Sequence, residues 1–576
     1  MPQVLDLETL INPDNLASEI GNQWMEWDTF RSNWKTQTRE LRNYLYATDT
    51  QTTGNALLPW SNTTTTPKLT QIADNLHANY FATLFPRSKW LTFKGDDSES
   101  ANREKARLVE SWVQDKVDKS GFVNTCSELL VDWIHTGNCF AMVDHKADVS
   151  VKDTGDSTVN YVGPVLRRVS PYDIVFDPTA TSFEESPKIL RTFLTLGDIK
   201  RMSENDEEMR AIFEKMLMVR REVNTGDNQV DKSEGFVADG FSNISEYYTS
   251  NYVEVLTFYG DLYDAAKGEL LVDHKITVVD RAYVLDASEN PSWSGRAPIF
   301  HAGWRTRPDN LYAMGPLDNL VGMQYRIDHL ENLKADVFDQ FAYPIQVIRG
   351  DVEDYDYAPS TRIYAGEEGA VDFLRPDPMA LQADLQINLL EQKMEEFAGA
   401  PKQAMGIRTP GEKTAFEVQT LQNSASRIFE HKTAHFERTF LEPILNAMLE
   451  IGRRKMQTTQ KILVDEGDPS QTFFTSVSKE DITGNGRVTA MGARHFAERA
   501  RRVQNINQLL MVKGDPSVQP HLSGKMIAKI LAEEIGEPEL FGENISIEEQ
   551  METQTVMQNA EADNQEQLAI AAEEGL

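Results

Sequence analysis

Residues 315–342 read GPLDNLVGMQYRIDHLENLKADVFDQFA, residues 379–399 read MALQADLQINLLEQKMEEFAG, and residues 414–456 read TAFEVQTLQNSASRIFEHKTAHFERTFLEPILNAMLEIGRRKM. In the first segment Leu317, Leu320, Val321, Ile327, Leu330, Val337, Phe338 and Phe341 recur at helical spacing. The second carries Met379, Leu385, Leu389, Met394 and Phe397 on one stripe, with carboxylates elsewhere. The third keeps Val418, Leu421, Ala425, Ile428, Phe436, Phe440, Ile444, Met448 and Ile451 in phase. A β-like insert, 343–378, joins the first two, and the Gly/Pro-broken APKQAMGIRTPGEK, 400–413, joins the second to the third. At about 1.5 Å per residue the first predicted helix is roughly 40 Å long and the third roughly 65 Å. Helices of that length span something or line something. Pro443 lies inside the third, where a missing N–H predicts a kink.

Composition narrows the class. The chain has 576 residues, room for several domains, and its 40% apolar and 26% charged residues are ordinary for globular proteins. No apolar run reaches the length of a bilayer span, and MPQVLDLETL lacks a signal peptide's basic and apolar regions, so no membrane partner is expected. Cys126 and Cys139 are the only cysteines; they predict core thiols and a reducing compartment rather than a disulfide framework. With 57 basic against 90 acidic residues, the formal net charge is −33. That sign is wrong for a protein that grips DNA, because phosphate affinity comes from Lys and Arg. It fits either a hydrated acidic surface or a surface that stays near DNA without holding it.

Around the long helices the pattern is mixed. Leu5 to Thr48 is helical, punctuated by Trp24, Trp27, Phe30 and Trp34, and a second helix covers Leu69–Leu84. Pro86 then turns the chain into a strand through WLTF. Helices follow over 100–119 and 122–136, the latter ended by Gly137. Cys139–Asp144 and Val151–Arg168 alternate as strands, Ile199–Val219 is helical, and 222–250 is a polar loop. From Tyr252 to Leu285 a period-two pattern predicts an antiparallel hairpin or meander. Phe473–Val477 and Arg487–Ala490 bracket ITGNG, predicting a hairpin. The remainder, 495–576, reads as helix and is strongly acidic beyond Lys529, as either packed helices or a disordered tail. The expected fold class is α+β, mainly helical.

Catalytic patterns are scarce. His431 and His435 have the i,i+4 spacing of a helical zinc pair, but Lys-Thr-Ala between them lacks a metalloprotease glutamate. Two polar residues on a packed helix are the preferred reading. Asp351, Glu353, Asp354 and Asp356 crowd the insert, yet Asp356 stands where a calcium loop requires glycine. A solvated or partner-facing acidic loop is expected instead. There is no phosphate-binding G-x-x-x-x-G-K-[ST] loop and no G-x-S-x-G elbow; Gly484-Asn485-Gly486 fits a tight turn. No enzyme activity, cofactor or metal is expected. Basic residues gather in the broken loop (Lys402, Arg408, Lys413) and in Arg453, Arg454, Lys455, Arg494, Arg499, Arg501 and Arg502. Helix-end compensation and salt bridges account for the second set. For the loop, an exposed turn and a ligand contact are both open.

The order of elements resembles the portal (head-to-tail connector) proteins of tailed bacteriophages, particularly the short-tailed podovirus type. SGFVNTCSELLVDWIHTGNCFAMVD (120–144) is similar to the family's helix-Gly-strand unit, and LRRVSPYDIVFDPTATSFEESPKILRTFLTLGDIKRM (166–202) to its wing segment. YAMGPLDNLVGMQYRIDHLENLKAD (312–336) resembles the beginning of the first stem helix. EKTAFEVQTLQNSASRIFEHKTAHFERTFLEPIL (412–445) resembles the long kinked helix, and DITGNGRVTAMGARHFAERARRVQNINQLL (481–510) the return strand and crown. The similar passages are scattered over 120–510; the first forty residues and the acidic C-terminal region depart from the pattern.

The resemblance implies a portal fold. Residues 1–84 would form an N-terminal helical segment and 85–314 an α+β wing. Residues 315–342 would be the first stem helix, 343–378 the clip, 379–399 the second stem helix and 400–413 the tunnel loop. Residues 414–456 would be the long kinked helix, 457–494 the return to the wing, and 495–576 a helical crown. It further implies a homo-oligomeric ring, typically of twelve copies, at one capsid vertex of the virion, assembled in the host cytoplasm. Double-stranded genomic DNA would pass through it during packaging and ejection without sequence-specific contacts. Implied partners are the major capsid protein, the terminase packaging motor and tail adaptor proteins. Lys402, Arg408 and Lys413 would touch DNA from the tunnel loop, and Asp351, Glu353 and Asp354 would dock basic partner surfaces at the clip. A non-threading, ring-forming tail adaptor or scaffold-like protein is the alternative. A helical metal-dependent hydrolase built on His431 and His435 is a third reading.

Overall fold

A computed structural model describes residues 13–46, 65–85, 90–96, 103–151, 157–203, 207–220, 252–264, 269–292, 294–350, 364, 371–374, 382–398, 428–457, 459–464 and 473–490. The chain divides into two units. One comprises Met1–Pro86, Leu91–Thr459 and Ser478–Ala493, the other Arg87–Trp90, Gln460–Val477 and Arg494–Leu576. The protein is α+β.

In the first unit the elements run α1 (Pro13–Phe30), α2 (Ser32–Tyr46), α3 (Lys68–Leu84), β1 (Leu91–Gly95), α4 (Arg103–Lys119), α5 (Phe122–Thr136), β2 (Asn138–Val151), β3 (Ser157–Val169), β4 (Ile174–Phe176) and β5 (Lys188–Thr195). Next come α6 (Leu196–Ser203), α7 (Glu207–Arg220), β6 (Tyr252–Asp264), β7 (Glu269–Val279), β8 (Tyr283–Glu289), β9 (Ile299–Gly303), β10 (Arg305–Arg307) and β11 (Asn310–Met314). A helix α8 (Val321–Ala342), a hairpin β12 (Ile345–Ile348) and β13 (Val371–Leu374), and a helix α9 (Asp384–Ala398) follow. The last long helix, α10, is described over 428–455.

Strands β4-β5-β6-β7-β8 form an antiparallel sheet, and the period-two pattern of Tyr252–Leu285 is its β6–β8 meander. Alternation sends Leu256, Phe258, Ile276 and Val278 to one face, where they pack on Leu16, Ala17, Ile20, Trp24 and Trp27 of α1. Val253, Val255 and Val279 point the other way, onto Ile199, Phe213 and Met216 of α6 and α7. The N-terminal helices are therefore part of the body's core. Buried Arg31, between α1 and α2, fixes them: its guanidinium donates to the carbonyls of Pro171 (2.6 Å), Tyr172 (2.8 Å) and Ile174 (2.8 Å). A second sheet, β3-β2-β9, is also antiparallel. Gly137 ends α5 with φ +73°, and its missing Cβ lets the Gly315 amide approach, since a Cβ would lie 2.4 Å from that nitrogen. Both cysteines are buried and free.

Two boundaries differ from the sequence reading. The helix expected from residue 315 begins at Val321, because Gly315-Pro316 opens a turn whose Gly315 N–H donates to Asp318 Oδ2 at 2.8 Å. The hairpin expected between 473–477 and 487–490 does not form. Ser478 and Asp481 make a capping box that starts a short helix α11 (Lys479–Ile482), so the chain leaves the strand through a helical turn. The strand after it, β16 (Gly486–Ala490), pairs antiparallel with β1, Leu91 opposite Ala490. In the second unit β14 (Gln460–Val464) and β15 (Phe473–Val477) pair with each other.

Candidate functional site: a helix–hairpin–helix arm

Helices α8 and α9, joined through the β12–β13 hairpin, form an arm with a buried root and an open far end. At the root, α8 buries Gln324, Ile327, Asp328, Leu330 and Asn332; beyond Asn332 no residue of α8 is fully buried. In α9 the buried positions are Ile387 and then Met394, Glu395 and Ala398 at the returning end.

The root is built on the first turn of α3, whose amides start without intrahelical partners. Pro67 cannot cap them with a side chain, and α8 does so instead. Asp328 Oδ1 accepts the Thr66 N–H at 2.9 Å, and Gln324 Oε1 accepts the Leu69 N–H at 3.2 Å. Gln324 Nε2 donates to the Thr66 carbonyl (2.6 Å) and to Asp328 Oδ1 (2.8 Å). Burial pushes the Asp328 carboxyl up to about 6, against the lowering effect of those donors, and its Oδ2 is buried without a hydrogen bond. Lys68 of the same α3 turn ties down α9. Its Nζ lies 2.7 Å from Glu395 Oε1 and 3.1 Å from Gln71 Oε1, with the Lys68 and Glu395 side chains each 6% exposed. One helix start thus holds both arm helices. Farther out, Lys334 bridges Glu331 (2.7 Å) on α8 and Asp384 (2.8 Å) on α9, and both contacts raise its pKa.

The arm carries most of the exposed large apolar side chains among the described residues. Tyr325, Leu333 and Phe338 lie along α8, Leu385, Leu389 and Phe397 along α9, and Tyr343, Ile345, Ile348 and Phe373 at the hairpin. Leu385 is 82% and Tyr343 73% exposed, so these side chains have no cover within one chain. The sequence stripe Leu385–Leu389–Phe397 is thus an outward face, while Met394 of the same stripe is buried. Exposed apolar side chains concentrated on one element are what an interaction surface presents. In β12–β13 the register places Ile345 opposite Leu374 and Ile348 opposite Val371, leaving the two-stranded ladder open at both edges among the described residues.

Asp351, Glu353 and Asp354, and Lys402, Arg408 and Lys413, lie outside the described residues. Pro443 lies just past a π-helical turn, Glu437–Leu441, in which the Glu442 N–H reaches the Glu437 carbonyl. The wider turn takes up the crowding that a proline ring imposes on the preceding carbonyls. His431 and His435 share one face of α10, and His435 is pulled below the ordinary histidine value by burial and by Lys432, His431 and Arg438. That company suits an anion better than a metal cation, and no metal-holding group of His, Cys, Asp and Glu is assembled among the described residues. Arg453 and Arg454 pair with Glu450 at 3.6 and 2.7 Å, as helix-end compensation requires.

Sequence reading missed the root. Its signal was available in Gln324, Asp328 and Asn332, polar residues at i, i+4 and i+8 on the face that also carries Ile327. No helix among the described residues is long and apolar enough to cross a membrane. No protein-family model matches the chain, and no curated protein matches it.

Proposed function

We propose that the chain is a portal subunit of a tailed bacteriophage. Copies of it would form a ring at one capsid vertex, through which double-stranded DNA is packaged and ejected and to which the packaging motor and then the tail attach. The observation that carries this reading is the arm, anchored by buried polar contacts at its root and apolar on its exposed flanks. A two-stranded hairpin with four-residue strands is marginal alone in water, and exposed Ile345 and Ile348 do nothing to hold it. Neighbouring copies can cover both needs. In a closed head-to-tail ring each arm presents one flank to the copy before it and the other to the copy after it.

In this reading α8 and α9 are the stem, the hairpin belongs to the clip, and residues 400–413 are the tunnel loop. The net charge of −33 suits a wall past which DNA slides, since like charge opposes adhesion. No catalytic chemistry is assigned. Negative-stain imaging of the purified full-length chain tests the proposal. A ring of about twelve copies with a central hole is expected, and monodisperse monomers at micromolar concentration overturn it.

A further inference from the structure

The exposed face of α10 and the β10 strand carry Arg305, Arg307, Lys432 and Arg438, which pair with no carboxylate among the described residues, with the imidazoles of His431 and His435 beside them on α10. Arg305, Thr306 and Arg307 are all exposed on β10, whose pairing with β11 shifts register between the two arginines, and Arg307 Nη2 donates to the Tyr312 carbonyl at 3.0 Å. His431 and Arg438 are exposed on α10, and His435 lies between them, about one helical turn (~5.4 Å) from His431. Lys432 joins the two elements: its Nζ donates to the Trp304 carbonyl and lies 5.5 Å from the centre of the Trp304 ring. Asp318 is within electrostatic reach of Arg305 and Arg307 but ion-pairs with neither, its Oδ2 accepting the Gly315 N–H at 2.8 Å.

Several other cations of the molecule are matched by carboxylates. Arg168, Arg191, Arg281, Arg453, Arg454 and Lys334 all have carboxylates within 4 Å. Lys432 is within electrostatic reach of Arg305, and His435 of Lys432 and Arg438, so positive charge is concentrated where an external anion can neutralise it. The scaffold beneath is rigid. Trp304 packs against Trp133 (4.3 Å between ring centres) and Tyr80 (5.3 Å), and Phe436 of α10 against Trp133 (4.7 Å).

We propose that Arg305, Arg307, His431, Lys432, His435 and Arg438 form a phosphate-binding surface whose ligand is the backbone of double-stranded DNA. The choice of DNA rests on the portal reading; the anion chemistry does not. The cations follow an exposed strand and successive turns of a helix, an arrangement that suits an extended polyanion. The net negative charge of the chain opposes wider adhesion, so the duplex is touched without being held.

The test uses the full-length chain and a fluorescently labelled DNA duplex of arbitrary sequence, with affinity followed from about 50 to 200 mM salt. Replacing Arg305, Arg307 and Arg438 together by alanine is expected to weaken binding at least tenfold at the lower salt. It should also reduce the slope of log affinity against log salt by about 0.9 for each phosphate that is no longer neutralised. The triple Arg→Lys variant should recover most of the affinity, because a backbone phosphate accepts a point charge. Unchanged affinity and slope in the alanine variant overturn the proposal. So does loss of the oligomeric state seen for the unaltered chain by light scattering, because it makes the cations a contact for an acidic face of a second copy. The portal reading fails separately: stripe-dependent DNA binding by a chain that images as monomers keeps the phosphate surface and removes the ring.

Discussion

His301 shows how a single half-buried group sets a pH limit on the body. Its ring stacks on Phe140 at 4.6 Å, and Nε2 lies 3.0 Å from Asn138 Oδ1, which also accepts the Ala313 N–H at 2.9 Å. With Asn138 Oδ1 as the acceptor the ring carries a proton on Nε2, and burial together with the Lys188 charge holds its pKa down to about 3, which keeps the imidazole neutral at neutral pH. Unfolded, it would titrate near the ordinary histidine value of about 6.5. Between those values the unfolded chain binds the extra proton, so stability is full above the unfolded value and is lost as pH falls toward the folded one. Each pH unit inside that window costs about 1.4 kcal/mol from this group alone. His301→Gln, which keeps a donor without titrating, is expected to flatten the decline in chemical-unfolding midpoint between about pH 6.5 and 4.5. Parallel pH profiles for the two proteins would show that His301 is not the sensor. Gly452 makes a steric demand instead, because a Cβ there would lie 2.1 Å from the Trp112 ring. Gly452→Ala is expected to destabilise by about 1–3 kcal/mol through overpacking, read from the thermal midpoint.

At the scale of elements, the α3–α8–α9 root is where stability and function meet. Removing one member of the buried Lys68–Glu395 pair takes a 2.7 Å ion-pair contact from the other inside the root. Lys68→Met alone should therefore cost about 3–5 kcal/mol, while Lys68→Met with Glu395→Leu should recover most of it. A double-mutant cycle by urea unfolding measures this, and additive losses would mean that the two charges do not depend on each other. Asp328 has the opposite sign from His301. Its folded pKa is raised, so its contribution is greatest below the unfolded carboxylate value and is lost as pH rises through about 6. Asp328→Asn keeps the Oδ1 acceptor and should raise the thermal midpoint at pH 7.5 by the equivalent of about 2 kcal/mol, with the gain vanishing near pH 4. An unchanged midpoint at pH 7.5 would mean that the carboxylate is better solvated than its burial implies. The elements themselves were legible to different degrees. The Tyr252–Leu285 alternation and the Gly137 helix stop were readable because both are local rules. The 473–490 segment misled because ITGNG resembles a hairpin turn, while the Ser478–Asp481 capping box just before it redirects the chain. Leu385, Leu389 and Phe397 were readable as a helical stripe, but periodicity marks an apolar face without naming what covers it. The Gln324–Asp328 cap on α3 joins residues more than 250 positions apart and leaves only a polar interruption in a helical pattern.

For the whole molecule, two forces of different range act on association. Every copy carries a formal charge of −33, so copies repel over the Debye length, which shrinks from ~30 Å at 0.01 M salt to ~10 Å at 0.1 M. The apolar flanks of the arm attract at contact, and modest salt leaves that attraction nearly unchanged. Assembly of the proposed ring should therefore strengthen as salt rises through this range, the reverse of the trend expected for duplex binding at the proposed phosphate surface. Sedimentation velocity on one preparation across the salt series separates the two. The sequence exposed the charge imbalance but not this local cluster, because Arg305 and Lys432 are far apart in the chain and meet only through the Lys432–Trp304 contact. Replacing Leu385 and Ile345, both more than half exposed, by aspartate tests whether the arm joins copies as the proposed ring requires. Neither side chain supports the single-chain fold, so the thermal midpoint at low protein concentration should move by no more than about 0.5 kcal/mol equivalent. The large sedimenting species should disappear at every salt concentration, because each copy would bury two new carboxylates against its neighbour. If the variant still forms that species, the arm's apolar flanks do not join the copies, and the portal reading no longer has the observation that carries it.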